Sequence, residues 1–316
     1  MLRYTARRLL FTLPVLWGVT VVVFLLVRLL PGDIATYILG PGAPAEQVAA
    51  LRRDLGLDRP WHQQYLVWLG NAARGNLGYS NQYRRPVAEV IWQKFNNTIV
   101  LAAGALTLSV IIGVSVGTFS GTRPNTLPDR MATTVAIVLA SLPGYFVGLV
   151  LMYIFALKLR WFPSTGMYSV TDPGGLPDLL HHLVLPAITT AAVPMAVISR
   201  LVRSQFIEVM QQDYIRTGRA KGLRERVVIL RHALRNAMPT TINIVALQLG
   251  YLLGGSIFAE VIFSWPGMGQ QLYASIGARD AAVIQAIALL VASIFILANF
   301  AADAAHGILD PRVRLA

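Results

Sequence analysis

Six long apolar stretches constrain this chain more than any other feature of its sequence. An α-helix needs about 20 residues to cross a hydrocarbon core of about 30 Å, and each stretch reaches that length. Only 13% of the 316 residues are charged, against about 25% in a typical soluble domain. We therefore predict an all-α integral membrane protein with six transmembrane helices, approximately Leu9–Leu30, Thr98–Ser120, Met131–Leu157, Leu183–Val202, Pro239–Ile262 and Val283–Ala302.

The first apolar stretch follows three arginines, as the apolar core of a signal peptide would. It is longer than the roughly 7–15 residues of such a core, and no cleavage site with small residues follows it. We expect it to be retained as the first span.

The basic residues predict the orientation of the spans. With both termini in the cytoplasm, the short outer loops hold only Lys158, Arg160 and Arg279. This distribution follows the positive-inside rule, which accounts for the net charge of +12 and argues against nucleic-acid binding. The basic residues on the inner side are Arg3, Arg7, Arg8, Arg123, Arg130, Arg200, Arg203, Arg216, Arg219, Lys221, Arg224, Arg226, Arg231, Arg235, Arg312 and Arg314.

Several chemistries have no support in the sequence. The middles of the six stretches lack Asp, Glu, Lys, Arg and His, which ion-coupled carriers place inside the membrane. No Walker loop is present, and the chain has no cysteine. The sequence therefore predicts that the chain is not an enzyme, and that active transport would take its energy from another subunit.

The segment between the first two spans is predicted to form helices on the outer side. Pro44 can open a helix over Ala45–Leu57, and a second can start at Pro60. Trp61, Tyr65 and Trp68 lie along one stripe of the second helix. These aromatic side chains suit either the lipid headgroup region or packing of the segment against the outer ends of the spans.

Helix-breaking and small residues occur within the spans. Pro14, Pro143, Gly144, Pro186 and Pro194 are interpreted as ordinary kinks of membrane helices. Small residues that permit close helix approach occur in the second and fifth spans; they are Gly104, Gly113, Gly117, Gly250, Gly254 and Gly255.

The segment between the fourth and fifth spans is the most distinctive. It is predicted to form two short helices, separated at Gly222 because glycine is a preferred helix stop. The second helix would carry apolar residues on one side and arginines on another, as a segment lying on the inner leaflet does. The residues alone favour that membrane-surface interpretation.

In this segment the sequence resembles a known family, the permease subunits of ABC importers in the dipeptide, oligopeptide and nickel branch. The resemblance rests first on Asp213–Leu223 followed by Arg231–Ala237, which look like the cytoplasmic coupling loop of these permeases. Further matches cover nearly the whole chain in the expected order: Leu30–Asp33, Leu55–Asp58, Gln64-Tyr65, Trp68-Leu69, Gly75–Gly78, Glu260–Gly269, Arg279-Asp280 and Asp310–Arg312.

The resemblance implies a type I ABC importer permease fold and a set of partners. A second related permease, one or two ABC ATPase subunits and an extracytoplasmic solute-binding protein would complete the transporter, with ATP and Mg²⁺ on the ATPases. It further implies that the ATPase docks on Arg216, Thr217, Gly218, Arg219, Ala220, Lys221, Gly222 and Leu223. Small residues would allow close approach, and basic residues would pair with carboxylates of the partner.

One departure from the family pattern concerns this docking segment. The general motif has Glu-Ala-Ala, then three residues, then glycine. When this chain is aligned on Gly222, it has Arg216-Thr217-Gly218 in place of Glu-Ala-Ala. No contact made by the family's glutamate can therefore be carried over to this chain.

Two further groups of residues are candidates for transport. In the fifth span, Asn243, Gln248, Tyr251 and Ser256 either line the translocation path or bond neighbouring helices. In the outer loop, Glu260–Gly269 either contacts or gates the outer mouth, or forms a turn with an interfacial tryptophan; Asp280 is expected to bond the N-terminus of the last span. The loop candidates are Glu260, Trp265, Pro266, Gly267, Gly269, Arg279 and Asp280.

The spans predict a multi-pass membrane protein, and the resemblance implies a protein of the bacterial inner membrane that imports short peptides. A nickel or other small-solute importer of the same branch, and an ATP-independent channel or carrier, remain alternatives. The predicted regions are 1–30 (N-terminus and first span), 31–97 (outer helical region) and 98–316 (permease core, including the coupling segment 205–237 and the outer loop 263–282).

Overall fold

A computed structural model describes residues 2–28, 34–40, 42–171 and 174–309. The motifs Leu30–Asp33 and Asp310–Arg312 lie outside the described residues. The described chain is predominantly helical. Its helices are α1 Leu2–Arg28, α2 Ile34–Leu39, α3 Ala45–Asp54, α4 Trp61–Ala73, α5 Val87–Thr122, α6 Leu127–Ser141, α7 Gly144–Leu151, α8 Gly175–Met210, α9 Asp213–Ala220, α10 Glu225–Val227, α11 Leu234–Ile262, α12 Met268–Gly277 and α13 Ala281–Leu309.

Two π-helical segments extend these helices. Met152–Lys158 continues α7, and Val228–Ala233 joins α10 to α11. A small antiparallel hairpin, which the sequence analysis did not predict, lies before α5. Its strands are β1 Tyr79–Ser80 and β2 Arg85–Pro86, with Tyr79 opposite Pro86.

The packing of α5 against α8 forms the centre of the fold, and glycines of α5 make it possible. A Cβ atom at Gly113 would lie 2.9 Å from Ile198, and one at Gly117 would lie 2.6 Å from the carbonyl oxygen of Ser199. Both distances are shorter than side chains tolerate, so the two backbones approach closely only because these residues are glycine. The predicted role of small residues in the second span is therefore confirmed at these two positions.

The interpretation of Pro143 and Gly144 as an ordinary kink is wrong. Leu142 has extended backbone angles (φ −78°, ψ 137°), the conformation that a following proline favours. The helices on either side of this break differ in direction by 108°. The predicted span Met131–Leu157 is therefore two helices. By contrast, Pro14, Pro186 and Pro194 all lie inside continuous helices.

The number of membrane spans stays a prediction. Within the described ranges, three helices (α5, α8 and α13) are long and apolar enough to cross a membrane, or five if each of two bent pairs counts as one span. The bent pairs are α6 with α7, and the two parts of α11. The apolar part of α1, Leu10–Leu26, is shorter.

The segment between α1 and α5 packs onto α1. The ring of Phe24 lies 5.5 Å from that of Tyr65 and 5.9 Å from that of Trp68, between ring centroids, and the hydroxyls of Thr20 and Tyr65 are 2.7 Å apart. Trp61 is 58% exposed. Two of the three aromatic residues therefore support the packing interpretation, and Trp61 stays available for lipid headgroups.

Candidate functional site

The predicted docking segment is a short helix held on the protein by one apolar side chain. Ile215 of α9 is fully buried and packs in a cluster with Phe206 and Val209 of α8, Val228 and Ala233. The flanking residues of α9 are exposed. The helix is therefore anchored along one side and presents its other sides to a partner or to solvent.

A tight turn ends this helix at Gly222, as predicted. Gly222 has a φ of +75°, a conformation that glycine adopts without the steric cost of a Cβ atom. The amide of Gly222 donates to the carbonyl of Arg219, and the amide of Leu223 donates to that of Gly218. These two hydrogen bonds satisfy carbonyls at the end of the helix.

An ion pair closes the same turn. The guanidinium of Arg219 donates to both carboxylate oxygens of Glu225, at 2.6 and 3.1 Å. The hydrogen bond from Arg219 holds the pKa of the Glu225 carboxyl below its ordinary value. In this structure Arg219 pairs within the chain; its pairing with a carboxylate of the partner stays a prediction.

The other predicted docking residues differ in how open they are. Ala220, Lys221 and Leu223 are exposed, and Thr217 is exposed while its hydroxyl donates to the carbonyl of Asp213. Arg216 makes an exposed ion pair with Asp213 at 3.4 Å. Gly218 faces inward, since a Cβ atom there would lie 3.6 Å from Leu223.

The predicted second short helix is wrong in its length. The helix that starts at Glu225 continues through the π-helical segment into α11, which bends by 44° between Leu252 and Ser256 and ends at Ile262. The predicted docking helix α9 is therefore joined by one turn to the long helix of the predicted fifth span.

The outer loop is organised around the buried carboxylate of Glu260, which lies near the end of α11 and is fully buried. One carboxylate oxygen accepts hydrogen bonds from the hydroxyls of Thr98 (2.8 Å) and Ser256 (3.2 Å). The other accepts from the backbone amides of Gly269 (2.6 Å) and Gln270 (3.2 Å). The Thr98 hydroxyl also accepts from the amide of Met268. One carboxylate thus joins α5, α11 and the start of α12.

Trp265 completes this junction from the loop itself. Its side chain is fully buried, and its indole N–H donates to the carbonyl of Asn97 at 2.9 Å. The side-chain amide of Asn97 donates in return to the carbonyl of Pro266. The turn interpretation agrees with this geometry, but Trp265 packs in the protein interior and is not an interfacial residue.

Close packing around Glu260 leaves no room for a side chain at two positions of the loop. A Cβ atom at Gly267 would overlap the Glu260 carboxyl group, and one at Gly269 would lie 2.6 Å from the Cα of Ile257. Both positions therefore require glycine for close approach.

A second buried carboxylate, that of Asp280, fixes the hairpin to the start of α13. It accepts from the Ser80 hydroxyl at 2.5 Å and from the amide of Gln82. It also accepts from the amide of Val283 at 3.4 Å, which is the expected bond to the N-terminus of the last helix. The neighbouring Arg279 has a φ of +52°.

The four candidates for the translocation path separate in the structure. Tyr251 is 44% exposed and lines a cavity together with Gly254. Gln248 is partly buried. Ser256 is 1% exposed and donates to Glu260, so it bonds within the helix bundle. The side chain of Asn243 lies outside the described residues.

An ion pair between α6 and α8 was not predicted from the sequence. Asp129, which is 1% exposed, accepts two hydrogen bonds from the Arg203 guanidinium, at 2.6 and 2.8 Å. It also accepts one from the amide of Asn125. Arg203 was counted only among the inner basic residues. The only sequence signal for this pair was that Asp129 is an acidic residue in the first turn of a helix. In the structure this residue bonds Arg203, which lies 74 positions away in the chain.

Comparisons with known proteins agree with this architecture. The family model described as the inner membrane component of binding-protein-dependent transport systems matches residues 113–315. A model of the N-terminal part of such membrane components matches residues 1–102.

Two relatives resemble the chain over its length. The glutathione transport system permease protein GsiC of Escherichia coli O6:H1 (strain CFT073) is 40% identical over 314 residues, 99% of each chain. A protein of Brucella ovis named as a peptide permease is 39% identical over 318 residues, 100% of each.

A solved structure shares the fold. The MetNI methionine ABC transporter, in inward-facing conformations, aligns with a TM-score of 0.56 at 18% identity, covering 70% of this chain and 96% of that chain. The fold is therefore that of an ABC transporter permease. With the family matches covering most of the sequence, the chain belongs to the inner membrane components of binding-protein-dependent transport systems, the permease subunits of ABC importers.

Proposed function

We propose that this chain pairs with a second permease to form the translocation path for short peptides, driven by ATP hydrolysis on partner subunits. The relatives named for glutathione and for peptide transport support this substrate class, since glutathione is itself a tripeptide. The nearly complete coverage of both relatives supports a likeness of the whole chain to peptide permeases.

One structural observation carries the proposal of ATP-driven coupling. The helix α9 is anchored by buried Ile215, exposes Ala220 and Lys221, and continues after one turn into α11. An ATPase seated on α9 would displace it when the ATPase dimer closes. The displacement would tilt α11, which changes access to a path between the two permeases.

The charge of the segment favours an acidic groove on the ATPase. Lys221 and Arg224 are exposed near the turn, and Arg216 makes only an exposed pair with Asp213. Exposed charges of this kind steer encounter and fix register more than they add affinity. Arg219 contributes differently in this proposal, because its pair with Glu225 holds the turn in the shape that is presented.

The outer face would receive the solute-binding protein. In the predicted orientation, that face comprises α3, α4, the hairpin and α12. The buried carboxylates of Glu260 and Asp280 would make this face rigid, since they join the loops to α5, α11 and α13.

The docking proposal is tested best at Ala220. A Gly222→Trp variant would block docking but would also strain the turn, because φ is +75° there. Ala220 is exposed at the end of α9, so Ala220→Trp adds bulk without that strain. The matched control is Ala73→Trp, at an exposed alanine in the last turn of α4.

We expect the Ala220→Trp variant to remain in the membrane while losing bound ATPase and ATP-driven peptide uptake in proteoliposomes. The Ala73→Trp variant should retain the ATPase. Normal ATPase binding by the Ala220→Trp variant would refute α9 as the docking element.

A further inference from the structure

Two interruptions of regular helix and a stretch of a continuous helix between two prolines meet at one cavity of about 370 Å³. The break before α7 places Gly144 in its wall, and a 44° bend between Leu252 and Ser256 of α11 places Gly254 there. The third wall is the part of α8 between its two internal prolines, which carries Thr189 and Thr190. The walls therefore come from three different helices, two of which are irregular where they line the cavity.

The properties of the lipid bilayer explain why irregular helix segments around a cavity indicate a function. Irregular backbone at membrane depth is tolerated where it is buried in protein or lines a water-filled cavity, because its polar groups need partners. In transport proteins, interrupted helices present such groups to a solute near the middle of the membrane. A cavity lined by two interrupted helices is therefore a candidate solute site and differs from an ordinary packing gap.

The lining residues offer neutral hydrogen-bonding groups and aromatic surface. The hydroxyls of Thr189 and Thr190 donate to carbonyls of their own helix at 2.9 Å, which leaves their oxygens able to accept a hydrogen bond. The half-exposed phenol of Tyr251 can donate or accept. Phe258, 56% exposed, packs beside Tyr145 with a ring-centroid distance of 6.1 Å. None of the described residues that line the cavity carries a charge at neutral pH.

We propose that this cavity is the intramembrane contact site for the transported solute, and that it binds the amide groups and apolar side chains of a short peptide. Peptide N–H groups match the threonine oxygens, and peptide carbonyls match the Tyr251 hydroxyl. An uncharged lining holds zwitterionic peptides weakly and without preference for net charge, so they can leave again. The inference rests on the proposed peptide-import function and identifies where the peptide touches this chain.

The absence of cysteine from the chain allows a direct test with single cysteines. Gly254→Cys places a thiol in the cavity, and a Cβ atom there meets nothing within 4 Å. Gly18→Cys in α1 is the matched control, because that glycine is also free of close neighbours and lies near the middle of an apolar helix. The probe is 2-sulfonatoethyl methanethiosulfonate, a charged reagent that modifies thiolates in contact with water.

The assembled transporter is treated with this reagent in proteoliposomes, without nucleotide and after trapping with ATP and vanadate. Modification of this chain is followed by mass spectrometry. We expect Cys at 254 to react at least about tenfold faster than Cys at 18 in one of the two states, since an apolar environment suppresses the thiolate. Modification at 254 should also block uptake of a radiolabelled tripeptide.

Two results would overturn the inference. Equal, slow modification at both positions would show that the cavity is filled by lipid or by a helix of the second permease. Modification at 254 that leaves uptake unchanged would show a wet cavity outside the path. In either case, ATP hydrolysis and uptake by the unmodified variants would leave the proposed function intact. A complex without ATP-driven uptake before modification would refute the proposed function itself.

Discussion

Substitutions of Glu260 should destabilise the junction of α5, α11 and α12, and Glu260→Ala should destabilise it more than Glu260→Gln. In Glu260→Ala, three donors lose their acceptor, namely the hydroxyl of Thr98 and the amides of Gly269 and Gln270, and the Ser256 hydroxyl loses one hydrogen bond. At about 1 kcal/mol for each of the three groups, the lower end of the usual range, the loss is about 3 kcal/mol.

The isosteric variant Glu260→Gln should cost less. Its amide oxygen can still accept from the two backbone amides, but without the negative charge that about doubles the strength of such bonds. The NH₂ group then faces the two hydroxyls, whose protons lose the carboxylate oxygen as acceptor. We expect about 1–2 kcal/mol.

The assay is the temperature at which half of the detergent-purified protein remains monodisperse. For a chain of this size 1 kcal/mol corresponds to roughly 2 °C, so Glu260→Ala should fall by roughly 6 °C and Glu260→Gln by roughly 3 °C. The control Glu89→Gln, at an exposed carboxylate in the first turn of α5, should shift by no more than about 1 °C, because exposed substitutions rarely exceed about 0.5 kcal/mol.

The refuting result is a Glu260→Ala variant as stable as the Glu89→Gln control. It would mean that Thr98, Gly269 and Gln270 find other partners at no cost. The network described for the outer loop would then contribute nothing to its stability.

Three other predictions follow from charged groups and from topology. Asp129→Asn should lower the free energy of unfolding by about 2 kcal/mol. This is less than the roughly 3–5 kcal/mol of a fully buried pair, because a quarter of the Arg203 side chain is exposed. A double mutant with Arg203→Gln should recover part of that loss, and additive losses in thermal stability would contradict the pairing. The lowered pKa of Glu225 means that its pair with Arg219 stabilises the turn above the ordinary carboxyl pKa, and that this stabilisation is lost as the pH falls through the lowered pKa. Hydrogen exchange of residues 219–226, corrected for intrinsic rates, should therefore differ between wild type and Glu225→Gln at pH 7 and converge once the pH is below the lowered pKa. A difference that stays constant with pH would contradict this. Tags at either terminus should be protected from external protease in intact cells, and cleavage at either end would overturn the predicted orientation.

Local sequence signals were sufficient for several elements. Helices α3 and α4 each begin directly after a proline, as Pro44 and Pro60 predicted. The helix α9 ends at the turn of Gly222, and Asp280 bonds the first turn of α13. In each case the residue acts on backbone groups within a few positions of itself, so the pattern and its effect lie in the same short segment.

Long-range contacts could not be predicted in the same way. Thr98 meets Glu260 across 162 positions, and Arg203 meets Asp129 across 74. No local pattern distinguishes these carboxylates from exposed ones. Trp265 likewise suited a membrane interface by residue type, and only the packing around Asn97 shows why it is buried.

The prolines show how tertiary structure decides among equivalent signals. Pro143 breaks its helix, while Pro186 and Pro194 remain within α8. The helix α8 packs closely along α5 over most of its length, whereas α7 turns away from α6 after the break. A proline marks where a helix can break, and the neighbouring contacts determine whether it does.

The most direct test of the account is to purify the tagged chain from its native membrane in mild detergent and to identify the proteins that accompany it. The account predicts a second multi-span permease together with an ATPase that carries a Walker loop. A chain that arrives alone, stable and monodisperse, would contradict it and would favour an independent channel or carrier, with residues 213–235 lying on the inner leaflet.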